Sequence, residues 1–99
     1  MDTTLVLSVK KKWFDLIKSG EKKEEYRDLT DYWKKRLGFK AGFYKNYKYI
    51  EFRNGYGMNV PKFKVKLIGI EIKYPNKKWI DDTIKFDNCF VLKLGDICA

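Results

Sequence analysis

Histidine is missing from this chain of 99 residues, and cysteine and proline occur only twice each, at Cys89, Cys98, Pro61 and Pro75. A protein zinc centre ordinarily takes four ligands, or three and a water, so a Cys/His metal site is not expected, and no cofactor is. Cys89 stands between Asn88 and Phe90 in an apparent final strand, where a thiol packs as a small apolar group. No apolar run approaches the roughly 20 residues of a membrane span. The opening Met1-Asp2-Thr3-Thr4 has neither the basic start nor the long apolar stretch of a secretory leader. These absences predict one small, reduced, cytoplasmic domain with a modest core and no membrane partner.

Positive charge is abundant but uneven. The formal balance is +9, and from Gly38 to Ile80 ten Lys/Arg face two acids, Glu51 and Glu71; the remainder holds twelve bases and eleven acids. The field therefore comes from the middle of the chain. There Lys45, Lys48 and Arg53 interleave with aromatics such as Phe43, Tyr44, Tyr47 and Tyr56, a composition suited to phosphate attraction and base stacking. The plainer reading is a lysine-rich surface over an aromatic core.

Periodicity supplies an outline. Thr4–Val9 reads as a buried strand. From Lys10 to Ser19, Trp13, Phe14, Leu16 and Ile17 fall on one broad helical face, and Gly20 suits the left-handed residue that ends such a helix. A second strand follows at about Lys23–Arg27. Asp28 or Thr30 can cap a short helix carrying Trp33 and Leu37, stopped by Gly38. Gly38–Asn46 reads as loop, Tyr47–Arg53 as strand, and Asn54 to Pro61 as turn. In the next strand Phe63, Val65 and Leu67 alternate with lysines. The phase then changes to Ile68, Ile70 and Ile72 around Gly69, which predicts a bulge or bend. Tyr74–Asp87, with its paired Asp81-Asp82, reads as irregular, and Cys89–Leu94 as a last strand ending at Gly95. Together these elements predict an α+β domain: a mixed sheet curling into a small barrel, with two short helices near the N-terminus.

The segment Gly20-Glu21-Lys22-Lys23-Glu24-Glu25-Tyr26-Arg27 reads G-x-K-x-x-E-x-R. Strand alternation points Glu25 and Arg27 to one side and Tyr26 to the other; Lys22 joins them only if the chain turns after Gly20. Two cations and a carboxylate converging there would form a polar site. The rival reading is a solvated edge strand whose charges pair, each pair contributing about 0–1 kcal/mol.

This signature, with Leu5–Lys10, Trp13–Gly20, Tyr32–Leu37 and Phe90–Gly95, resembles the ASCH domains, which share a small β-barrel with PUA domains. The resemblance covers most of the chain and is weakest in the middle. It implies a single PUA-like domain that binds RNA or a nucleotide in a cleft lined by Lys22, Glu25 and Arg27, with Lys10 as a fourth member and Arg36 at the rim. Arg27 would grip a phosphate or base edge with its planar fork. Some ASCH proteins are hydrolases, including an N4-acetylcytidine amidohydrolase branch with a lysine where Lys22 stands and a threonine nucleophile where this chain has Glu25. In a hydrolase acting on a modified nucleoside or RNA, Glu25 would activate water and Lys22 and Arg27 would stabilise the oxyanion, with Glu71 nearest in order to that branch's downstream glutamate. A protein-binding role for the aromatic middle is a third reading.

Overall fold

The structure, a computed structural model, describes residues 3–81 and 84–98; Met1, Asp2 and Asp82, which entered the sequence reading, lie outside them. Five strands, β1 (Thr4–Ser8), β2 (Glu24–Asp28), β3 (Tyr49–Arg53), β4 (Lys62–Lys73) and β5 (Cys89–Ile97), form one sheet in the order β1-β3-β4-β5-β2. Among the described residues only the β1–β3 pair is parallel. The long β4 carries the curvature. Its register against β5 shifts between Val65 and Leu67 and again between Leu67 and Gly69, at the phase change expected from the isoleucines. Such irregularities bend a strand and let a sheet curl. The curl makes a half-barrel whose two edge strands, β1 and β2, approach one another without pairing.

Helices α1 (Lys11–Lys18) and α2 (Asp31–Arg36) pack residues against the core of the sheet. Eight and six residues are too few for independent stability, so packing must hold them. Phe14 and Ile17 from α1, and Leu37 just after α2, join Leu5, Leu7, Ile50, Phe52, Val65, Phe90, Leu92 and Leu94 in the main core. A smaller cluster of Tyr26, Cys89 and Val91 lies against Trp79, Ile80 and Ile84, beside a 3₁₀ turn at Lys77–Trp79. Of the two proposed caps for α2, Thr30 serves: its hydroxyl accepts from the Trp33 N–H at 3.2 Å.

Two glycines have distinct roles. The last strand does not end at Gly95 but continues to Ile97. It can do so because a Cβ at Gly95 would lie 3.0 Å from Ile68 Cγ1, where β5 crosses the bulged part of β4; a missing side chain here permits close approach instead of marking a strand end. Gly38 adopts φ +66°, and a Cβ there would lie 2.3 Å from Lys45 Cγ and 3.1 Å from the Lys45 backbone nitrogen. Gly38→Ala is therefore expected to cost about 1–2 kcal/mol through the left-handed backbone alone, plus displacement of Lys45. A urea midpoint unchanged from wild type would show that this turn relaxes freely.

Candidate functional site

Between the two edge strands lies a cleft of about 780 Å³, walled by the ends of β1 and β2, the start of α1, one face of α2, the β3–β4 turn and the segment around Trp79–Asp81. The volume falls within the roughly 300–1,000 Å³ of small-ligand sites.

The signature is built from the end of α1 onward. Gly20 takes φ +84°, its N–H donates to Ile17 O, and the chain swings back so that the Lys22 N–H donates to Leu16 O. This turn resolves the parity problem of Lys22. The ammonium donates to Glu25 Oε1 at 2.7 Å and lies over the rings of Trp13 and Tyr26 at 5.3 and 5.5 Å from their centroids. Glu25 Oε1 also accepts from the Tyr26 N–H at 3.1 Å, and Oε2 pairs with Arg27 Nη1 at 3.2 Å. Lys22 and Glu25 are 1% and 5% exposed. The solvated edge strand is thus excluded: the charges pair, but out of water.

Burial and the neighbouring charges together set the titration of both groups. Burial pulls the Lys22 ammonium below the ordinary lysine value, against the opposing attraction of Glu25. Burial alone would raise the Glu25 carboxyl, but Arg27 and Lys22, with hydrogen bonds from Lys22 and the Tyr26 N–H, hold it below the usual carboxylate range. Tyr26 turns to the opposite face, as alternation requires. Its hydroxyl donates to Glu24 Oε1 at 2.7 Å and accepts from the Asn76 N–H at 3.1 Å. The Cys89 thiol is likewise buried, its pKa pushed up to about 11 by desolvation and then by Asp28 and Glu24.

Arg27 carries the network into the cleft. Its Nη1 donates to Tyr26 O at 2.7 Å and its guanidinium lies 5.1 Å from the Trp33 ring centroid. Arg36 lies 5.3 Å from the same ring, bonds the Val6 carbonyl of β1 and reaches the Tyr32 hydroxyl at 3.4 Å. Two cations therefore share one indole, an arrangement that favours an anion or a base edge nearby. On the opposite wall Lys10 Nζ stands 3.4 Å from Asp81 Oδ2, which also accepts from the Trp13 indole N–H at 3.1 Å.

The anticipated residues thus divide. Lys10, Glu25, Arg27, Arg36 and Tyr56 line the cleft. Lys22 does not; it is a support behind Glu25. Arg53 is tied to Glu51 by two contacts of 2.7 Å. Lys45 and Lys48 lie toward the other end of β3, Lys48 roughly 16 Å from Arg53 by strand rise, and neither lines the cleft. Glu71 is exposed on β4, facing Lys73 and Lys93 at 3.4 and 3.6 Å, away from the site. Sequence reasoning treated Trp13 and Trp33 as core residues, and both do pack. It missed that Trp33 is the platform for both arginines, although Trp33 and Arg36 share a helical face at i, i+3. It also missed Asp81, for which no local signal exists.

Among the described residues no group of three or more Cys, Asp or Glu is placed to hold a metal ion, and no helix is long and apolar enough to cross a membrane. Compared with family models, curated proteins and solved structures, the chain matches none.

Proposed function

We propose that this protein binds RNA or a nucleotide in the cleft between β1 and β2, as an ASCH-type domain with a PUA-like half-barrel would. The observation that carries the reading is the pair of guanidinium groups, Arg27 and Arg36, stacked over Trp33 at the cleft wall. Glu25 braces one of them from behind, and Lys22 braces Glu25. Arginine presents fixed donors to phosphate or to a base edge, and the indole supplies an apolar wall. The overall charge of +9 adds general attraction for a polyanion.

The hydrolase reading has less support. Both Glu25 oxygens already accept from cations, and a carboxyl held below its usual range is a poor base for water near neutral pH.

The test is binding of a panel of short single-stranded RNAs at about 50 and 200 mM salt, comparing wild type with Arg27→Ala/Arg36→Ala and checking the fold by circular dichroism. Binding that weakens with salt and is lost in a folded double variant is the expected result. Salt-independent binding, or binding untouched by the double substitution, would overturn it.

A further inference from the structure

Two tyrosines that line the cleft are largely exposed to solvent. Tyr56 is 91% exposed, on the turn between β3 and β4. The base of that turn is nevertheless fixed: Ser8 Oγ donates to Gly55 O at 3.0 Å, Asn54 Nδ2 to Val9 O at 3.2 Å, and Asn54 N–H to Pro61 O at 3.0 Å. Gly55 and Gly57, at φ +112° and +107°, let the backbone turn sharply on either side of Tyr56. The ring is therefore carried at the cleft lip by an anchored loop while touching almost nothing. Tyr32, in the first turn of α2, is 62% exposed. Its ring is set edge-on to Trp33, with centroids 5.1 Å apart, and its hydroxyl meets Arg36, so it is oriented before any ligand arrives. Both tyrosines line the same cleft as the arginines.

Inside the cleft Trp13, Trp33 and Trp79 supply aromatic walls that can enclose one base. Exposed rings at its lips, beside a cationic interior, suit bases that lie outside it. Resting on the RNA reading above, we infer that the ligand is a single strand running across the cleft, with bases flanking the enclosed nucleotide stacked on Tyr32 and Tyr56. Stacking on aromatics is tolerant of base identity and contributes per base, so these two positions set a preference for strand over monomer and not for sequence. Tyrosine suits the role because its ring is large and loses little rotamer freedom on binding.

The experiment measures, at one fixed salt concentration, the ratio of affinities for a mixed-sequence single-stranded RNA hexamer and for the nucleoside 5′-monophosphates. It uses wild type, Tyr32→Ala/Tyr56→Ala and Tyr32→Phe/Tyr56→Phe. The expected result is a wild-type preference for the hexamer that falls by roughly tenfold or more in the alanine variant, as loss of stacking predicts, and survives in the phenylalanine variant. The phenylalanine pair keeps the rings and drops the hydroxyls, which separates stacking from the Tyr32–Arg36 contact. A ratio that is unchanged by alanine, or lost equally with phenylalanine, overturns the stacking assignment. Equal wild-type affinity for monomer and hexamer overturns it too, while leaving the cleft as a nucleotide site. If wild type binds neither, the RNA reading itself falls and this inference falls with it.

Discussion

Glu25→Ala is expected to destabilise the fold by about 3–5 kcal/mol, the usual loss when one member of a buried ion pair is removed and the other is left uncompensated. The stranded group is Lys22, whose side chain is fully shielded from solvent and whose ammonium donates to Glu25 at 2.7 Å. The loss is a large fraction of the roughly 5–15 kcal/mol that holds a domain of this size together. Lys22→Met/Glu25→Gln removes the orphaned charge and keeps a side chain of similar length at both positions. It should recover most of the loss, since apolar or neutral replacements of buried pairs are often nearly neutral. A urea titration of the three proteins decides the matter. If the double variant is no more stable than Glu25→Ala, the charge of Glu25, which also pairs with Arg27 at 3.2 Å, rather than its shape supports β2.

The same pair predicts an acid limb in the stability curve. The Glu25 carboxyl lies below its ordinary value of 4.5 in the folded protein, so between the folded value and 4.5 the unfolded chain binds the extra proton. Its contribution is complete above that window and is lost as pH falls through the folded value. Lys22 works in the opposite half of the pH range. Its ammonium is held below 10.5, so the unfolded chain is the more protonated one between the folded value and 10.5, and stability rises with pH across that interval.

Arg27→Lys is expected to cost about tenfold or more in affinity for single-stranded RNA, equivalent to losing one charge-assisted, geometrically fixed contact of about 1.5–3 kcal/mol. The substitution keeps a cation within reach of Glu25, so thermal stability should change little. It also keeps the formal charge, so the slope of log affinity against log salt should be preserved even as the affinity falls. What disappears is the planar group on Trp33, 5.1 Å from the ring centroid, and the directed fork that a flexible ammonium cannot reproduce. Fluorescence anisotropy at several salt concentrations separates the two contributions. Undiminished affinity in Arg27→Lys would mean that this position attracts RNA only as a charge.

Much of the architecture was legible before any coordinates. The 3.6-residue spacing of Trp13, Phe14 and Ile17 marks α1, Gly20 marks its end, and the phase slip at Ile68-Gly69 marks the bend in β4. These are local signals: each depends on neighbours within a turn of helix or a few strand residues, and the backbone must satisfy them wherever the element is packed. Alternation likewise put Glu25 and Arg27 on one side of β2 and Tyr26 on the other.

Only the tertiary structure decided how wet each charge would be and which distant residues would meet. The letters of Lys22 are those of any surface lysine. It is buried because the turn at Gly20 swings it under Trp13, and because Tyr26 closes over it from the next strand. Asp81 reaches Lys10 and the Trp13 indole across about seventy residues of sequence. Lys45 and Lys48 read in sequence as phosphate-attracting lysines among aromatics, and the parallel register of β1 on β3 carries them toward the end of the sheet away from the cleft. Periodicity states which side chains share a face; the curl of the sheet determines what that face meets, and thereby which of the cations stands behind Glu25 and which lines the cleft.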